Sequence, residues 1–184
     1  MDKKIIIGLA GQISSGKDTI ANYVAEKYGG VSVSFSQPLR DILDRLYMPH
    51  TRENLSFLAQ CLIDKFGGDI LSKTIATEIE KSDKKIFVLP NIRRESDYFH
   101  LKDNPGFVLV GVNTELRTCY DRLVKRNQNT DDQTKTWEQF QKDLQLSTEV
   151  AIAGLIEKAP VKIDNNGTFE ELYKQVDELI AKLS

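Results

Sequence analysis

Apolar positions follow two rhythms along this chain. Residues 4–9 (Lys-Ile-Ile-Ile-Gly-Leu) form a continuous apolar run, the mark of a strand buried on both faces. Two further runs have the same character, 85–89 (Lys-Ile-Phe-Val-Leu) and 107–112 (Phe-Val-Leu-Val-Gly-Val). Residues 31–35 alternate as a strand should, and Val161-Lys162-Ile163 predicts a last short one. Between them the spacing becomes helical. It predicts helices over 17–28, ended by Gly29-Gly30, over 39–48 and 52–66, separated by Pro49, and over 69–81. Further helices are expected over 115–127, 137–157 and 169–183, with a polar stretch from Asn127 to Thr136. In the helix over 52–66, Leu55, Leu58, Leu62 and Phe66 share one face, which predicts a core face.

Buried strands alternating with helices predict an α/β fold with a parallel sheet covered on both faces. The long helical interval between the second and third strands, about 37–82, reads as an insertion at one side of the sheet. Such insertions cover or line the ligand crevice. No repeat, low-complexity tract or linker is visible, and 184 residues suit one domain with a real core.

Composition narrows the function classes. With 25 basic and 27 acidic residues the net charge is −2, which gives no support to bulk binding of nucleic acid or anionic membrane. Cys61 and Cys119 make no disulfide framework and, with only His50 and His100 beside them, no zinc site. They fit free thiols in the cytoplasm. No apolar run is long enough for a membrane span. Lys3-Lys4 before Ile5-Ile6-Ile7 imitates a signal peptide, but Gly11-Gln12 interrupts the run.

Gly11-Gln12-Ile13-Ser14-Ser15-Gly16-Lys17 fits G-x-x-x-x-G-K, after a buried strand and at the start of a helix. There the glycines let successive N–H groups turn inward toward phosphate oxygens, and the helix N-terminus adds partial positive charge. Lys17 can then bridge β- and γ-phosphates. The strict motif has Ser or Thr after the lysine; here Asp18 stands there and Thr19 follows. Thr19 is the expected hydroxyl near the phosphates or the magnesium water shell. Asp18 reads equally as a dipole-favoured helix carboxylate and as a site residue. A guanine-reading Asn-Lys-x-Asp is absent, and Asp64-Lys65-Phe66-Gly67 lies at a helix end, not after a strand, which argues against a GTPase switch.

Gly-x-x-x-x-Gly-Lys-Asp-Thr, with Ser34-Phe35-Ser36-Gln37-Pro38-Leu39-Arg40, Thr51-Arg52-Glu53-Asn54-Leu55, Phe66-Gly67-Gly68-Asp69 and Asn91-x-Arg93, resembles the phage-type (deoxy)nucleoside monophosphate kinases. The order of these pieces matches over roughly the whole chain. The second half is also similar to dephospho-CoA kinases and archaeal nucleotide-kinase-like proteins, on Arg122-x-x-x-Arg126 and Asn165-Asn166-Gly167-Thr168-Phe169-Glu170-Glu171-Leu172. The resemblance implies a three-layer P-loop fold with a five-stranded parallel sheet of order 2-3-1-4-5. It also implies a helical lid over about 126–157, ATP as donor and Mg2+ as cofactor.

Residue roles follow from that resemblance. Arg93 after the third strand would contact the acceptor phosphate, its neighbour Arg94 pointing elsewhere. Asn91 stands where a magnesium-ordering aspartate is expected. Its amide can hold a metal-bound water but carries no charge, which weakens the metal site or shifts the carboxylate role to Asp18 or Asp97. Arg126 and then Arg122 would close over the phosphates, although with Arg117 and Lys125 they also read as a solvated basic face. Lys142 stands where such lids carry another arginine, and Asp131 and Asp132 resemble the lid's acidic pair. Arg40 or Arg52 would hold the acceptor phosphate, and Phe35 would flank its base. Asn166 and Gly167 fall where the adenine loop would be, and read equally as a helix-entry turn capped by Thr168.

The primary expectation is ATP-dependent phosphoryl transfer to a (deoxy)nucleoside monophosphate, with a small-molecule acceptor as partner and neither nucleic acid nor membrane. An anionic phosphate acceptor needs no general base. A hydroxyl acceptor such as dephospho-CoA calls for one near the second strand, where Ser32, Ser34 and Ser36 offer none and the nearest acid is Asp41. A nucleotide-binding regulatory protein with little turnover is the third expectation, motivated by Asn91 and the missing second lid arginine. All eight arginines fall between Arg40 and Arg126, a segregation that suits a small phosphorylated substrate in one cleft.

Overall fold

A computed structural model describes residues 4–126 and 132–184. Five strands, β1 (Ile5–Gly11), β2 (Val31–Ser32), β3 (Ile86–Leu89), β4 (Phe107–Asn113) and β5 (Val161–Asp164), form one sheet of order β2-β3-β1-β4-β5. Every pairing is parallel, and β1 lies at the centre between β3 (Ile7 opposite Val88) and β4 (Ile7 opposite Val108). All seven β1 residues are buried, as its unbroken apolar run requires.

The helices are α1 (Lys17–Tyr28), α2 (Gln37–Arg45), α3 (Arg52–Phe66), α4 (Ile70–Lys81), α5 (Leu116–Arg126), α6 (Trp137–Asp143), α7 (Ser147–Lys158) and α8 (Phe169–Leu183). On one face of the sheet, Ile20 and Val24 of α1 and Leu172, Val176 and Ile180 of α8 pack on Ile5, Ile7 and Leu9. On the other, Ile75 and Ile79 of α4 and Leu155 of α7 meet Ile6, Phe87 and Leu89. A third, smaller cluster joins Cys119, Leu123 and Phe140, with Ile13, Tyr120, Trp137 and Leu144 around it. Local chemistry secures the ends. Thr51, Thr136 and Thr168 cap α3, α6 and α8, the last two with reciprocal Gln139 and Glu171 contacts. The Lys4 ammonium donates to the Ile79, Glu80 and Ser82 carbonyls and so closes the C-terminus of α4.

Three expectations need correction. The face of Leu55, Leu58, Leu62 and Phe66 is not core: no α3 residue is buried and Phe66 is 62% exposed. Helical spacing fixes which side chains share a face, not how deeply the helix is set. Here α3 packs on α2 and α4, a layer away from the sheet. The single helix over 137–157 is two, because Phe140 and Leu144 serve the third cluster while Leu155 and Ala159 serve the sheet core. The strand over 31–35 stops at Ser32 in sheet terms. Val33 still donates to the Val88 carbonyl (2.8 Å), but the Ser34 carbonyl accepts from Gln37 N–H (3.0 Å) and turns the chain into α2.

Candidate active site

The phosphate loop runs from the end of β1 to the start of α1. Ser14 takes φ 59° and Gly16 φ 92°, so two residues of the loop adopt the left-handed conformation. Only glycine fits at the second. A Cβ there would stand 2.1 Å from Asn165 Nδ2, on top of the left-handed backbone penalty. Asn165 is buried and donates to the Ser15 carbonyl (2.7 Å), which also accepts from Thr114 Oγ1 (3.1 Å). Residues just beyond the carboxyl ends of β4 and β5 therefore fix the loop's shape.

Lys17 reaches back over the loop. Its ammonium donates to the Gly11 and Gln12 carbonyls, both at 2.8 Å, and approaches Ser15 Oγ at 3.4 Å. Burial pushes its pKa down to about 8, against the opposing pull of Asp18 and Glu149, while Arg93 pushes the same way as burial. Buried side-chain oxygens of Gln12 (Oε1), Ser14 (Oγ) and Glu149 (Oε2), and Arg122 Nη1, have no hydrogen-bond partner among the described residues. All four atoms belong to the loop or to residues near it. Arg122 donates through Nη2 to the Asn165 carbonyl (3.1 Å), which leaves Nη1 4.0 Å from the point where a Gly16 Cβ would stand. Unsatisfied buried polar groups concentrated in one place mark a site built for a polar ligand.

A cavity of about 280 Å³ lies beyond the carboxyl ends of β2 and β3. Ser34, Phe35 and Ser36 line it from the β2–α2 turn, Leu39 from α2, and Ile63, Gly68, Leu71 and Ser72 from α3, the turn after it and α4. Asn91, Arg93, Arg94, Ser96 and Asp97 close it from the segment after β3. Buried Ile92 anchors that segment, its N–H donating to the Leu9 carbonyl (3.2 Å), and so holds Asn91 and Arg93 at the cavity. Asp97 is fastened by the Arg93 and Arg94 backbone N–H groups at 2.8 and 3.1 Å, yet burial dominates and raises its pKa. His100 Nε2 meets Asp69 Oδ2 at 2.6 Å and clasps the same segment to the start of α4.

The predicted residues thus sort spatially. Gly11, Ser14, Ser15, Gly16 and Lys17 form the loop, with Arg122 and Asn165 beside it. Phe35, Asn91 and Arg93 share the cavity. Arg94 was expected to point elsewhere but lines the same cavity, because the extended backbone at Arg94 and its contact with Asp97 (3.6 Å) fold it back. Asp18 is exposed and Thr19 half-buried on α1. Arg40 is half-buried on α2 and Arg52 exposed at the start of α3; neither lines the cavity. Arg126 ends α5, and Lys142 is exposed on α6. Asp131 lies outside the described residues, as does the rest of 127–131 within the lid expected over about 126–157, and Asp132 opens a short 3-10 turn (Asp132–Thr134). Asn166 accepts from Glu115 N–H (2.7 Å) on the surface beside the loop, and Gly167 leads into the Thr168 cap.

Three participants were missed. Asn165, at the end of the last strand, was quoted only as part of a motif; a polar residue where ligands gather was the available signal. Thr114, just after β4, sits in the same kind of place. Glu149 looked like an ordinary acid in a first helical turn, and nothing in the sequence separates it from Glu138 or Glu170. Among the described residues no three His, Cys, Asp or Glu side chains cluster as a self-sufficient metal site, and no helix is long and apolar enough to cross a membrane.

No protein-family profile matches the chain. It is 26% identical over 182 residues to a UPF0200 protein of Methanocaldococcus jannaschii, covering 97% of this chain and 90% of that one. It is 27% identical over 188 residues to a UPF0200 protein of Thermococcus kodakarensis, covering 97% and 100%. Among solved structures it resembles TT1252 from Thermus thermophilus, with a TM-score of 0.63, 17% identity and full coverage of both chains. Shikimate kinase from Bacteroides thetaiotaomicron superposes with a TM-score of 0.58 at 14% identity, covering 97% of this chain and 98% of the other. A gluconokinase from Sinorhizobium meliloti gives 0.54 at 14%, covering 97% and 93%. The fold is that of the P-loop kinases.

Proposed function

We propose that this protein is an ATP-dependent kinase that transfers a phosphoryl group to a small phosphorylated acceptor, a (deoxy)nucleoside monophosphate first among them. One observation carries the reading: the segment that sets Arg93 in the cavity is bonded through Ile92 N–H to the Leu9 carbonyl (3.2 Å) of β1, the strand that runs straight into the phosphate loop. A donor on the phosphate loop and an acceptor in the cavity would then be neighbours, with Arg93 on the acceptor side.

The residues fit a triphosphate. Ser14 Oγ, Gln12 Oε1 and Arg122 Nη1 are buried without partners, and Lys17 is parked on loop carbonyls that phosphate oxygens would replace. When bound, ATP supplies the γ-phosphoryl group and Mg2+ neutralises charge on the bridging oxygens. Lys17 and Arg93 would stabilise the negative charge spread over the phosphoryl oxygens during transfer. The planar fork of Arg93 pairs with acceptor phosphate oxygens, and Phe35 offers a ring to an acceptor base. Arg122, held by the Asn165 carbonyl, presents its second nitrogen at the loop. The expected lid, about 126–157, would exclude water and protect ATP from hydrolysis.

A second reading, a hydroxyl acceptor, rests on Asp97, the carboxylate in the cavity. Its Oδ2 is occupied by two backbone N–H groups and its Oδ1 lies 3.6 Å from Arg94 Nε, so neither oxygen is free to take an acceptor's proton, which ranks this reading below the first. A coupled ADP-release assay over nucleoside monophosphates, dephospho-CoA and small polyols tests both. Acceptor-stimulated ADP formation that Lys17→Ala abolishes supports the kinase, and the responding acceptor picks the branch. ATP binding with no acceptor-stimulated turnover refutes it in favour of a nucleotide-binding regulatory protein.

A further inference from the structure

The carboxylates near the loop are unequal. Asp18 is exposed, Asp97 is tied to two backbone N–H groups, and Asp143 pairs with Lys135 at 2.8 Å. Asn91, which stands in the place of an acid, carries no charge. Glu149 differs from all of these. It sits in the first turn of α7, half-buried, with Oε2 wholly shielded from solvent and lacking any partner among the described residues. Burial raises the pKa of Glu149, the cations Arg93 and Lys17 pull it the other way and Asp143 adds to burial, and Glu149 in turn acts on Lys17. Yet the Lys17 ammonium is bonded to loop carbonyls rather than to this carboxylate.

A buried carboxylate oxygen bonded to neither Lys17 nor Arg93, nor to any other described residue, leaves a gap that something else fills. Phosphate oxygens alone cannot fill it favourably, because they would set like charges together in a poorly hydrated place. A hard cation between carboxylate and phosphates resolves the repulsion. Mg2+ suits this, since it keeps several waters and needs only one or two carboxylates beside the substrate phosphates. That also explains why no three-ligand cluster exists among the described residues. We propose that Glu149, from α7, is the carboxylate that orders the waters of a divalent cation bound with the nucleotide. It fills the role that Asn91 cannot. This rests on the nucleotide-binding reading above.

The test is calorimetric titration of ADP with and without Mg2+ into the wild-type chain, Glu149→Gln and Glu149→Ala. Melting curves confirm that each variant is folded. The second variant covers the case in which a glutamine amide still orders a water. Loss of an outer-sphere carboxylate is expected to reduce the Mg2+-dependent gain in ADP affinity by about 10–100-fold, with metal-free ADP bound at least as tightly as before. Displacement of Mn2+ into its free form, read by electron paramagnetic resonance, should follow the same order. An unchanged metal-dependent gain in Glu149→Ala overturns the proposal and leaves Glu149 as a counter-ion of the empty site. Equal losses with and without metal overturn it in favour of a structural role. Failure of wild-type protein to bind ADP at all overturns the nucleotide reading itself.

Discussion

Gly16→Ala separates a backbone requirement from a packing requirement. Gly16 and Gly29 both have positive φ, 92° and 65°, but their surroundings differ. A Cβ at Gly29 meets nothing within 4 Å, whereas at Gly16 it lands 2.1 Å from Asn165 Nδ2. The left-handed conformation costs a non-glycine residue about 1–2 kcal/mol at either position. At Gly16 the Asn165 amide must also move, and its buried N–H loses the Ser15 carbonyl, adding about 1–3 kcal/mol. The sum is about 2–5 kcal/mol, against about 1–2 for Gly29→Ala. For a chain of this size each kcal/mol shifts Tm by about 2–4 °C, so the expected falls are about 4–20 °C and about 2–8 °C. The assay is thermal unfolding in nucleotide-free buffer, because bound ligand would stabilise the folded chain. Asn165→Ala completes a double-mutant cycle. With the amide gone, the Gly16→Ala penalty should shrink to that of Gly29→Ala. A Gly16→Ala penalty of the same size in both backgrounds would refute the assignment of the excess to Asn165.

Other outcomes follow from the same geometry. Lys17→Met should abolish nucleotide binding yet raise the Tm of the empty protein at neutral pH, because it removes a cation whose charged form burial disfavours. The sign is fixed by linkage: native Lys17 loses its proton near pH 8 while the unfolded side chain holds it to about 10.5, so this group's contribution to wild-type stability rises with pH across that window. The advantage of Lys17→Met should shrink over the same range, and an advantage constant with pH would contradict it. Arg93→Ala should lower kcat/KM for the acceptor by about 10²–10³-fold while leaving ATP affinity within a few fold; Arg93→Lys should recover only part, lacking the paired nitrogens. Unchanged acceptor kinetics would remove Arg93 from the site. Asn91→Asp should tighten the Mg2+ dependence of turnover, and an unchanged magnesium titration would dismiss the reading of that position.

How much was legible in the chain depended on distance along it. The β1 run, the loop motif and the α1 helix lie within one stretch, so strand, turn and helix dipole could be read together. The pairing of Phe35 with Arg93 spans two segments, yet each was placed by its position at the end of a strand. Asn165 and Glu149 carry no such local mark. Asn165 matters because parallel β4 and β5 bring their carboxyl ends beside β1. Glu149 stands out because α7 packs across β1 and β4, which buries the Oε2 of one of many first-turn acids without a partner among the described residues. Burial depth followed the same logic. The apolar stripe of α3 was visible, but its setting above α2 and α4 rather than on the sheet was not.

The sequence by itself determined the strand–helix alternation, the phosphate loop and the concentration of arginine into one stretch of chain, because these rest on local spacing and on backbone preferences of single residues. Only the tertiary structure decided which polar atoms are buried without partners, which carboxylate is among them, and which arginines line the cavity. Those properties depend on exclusion of solvent by segments far apart in the chain, and no local pattern encodes that.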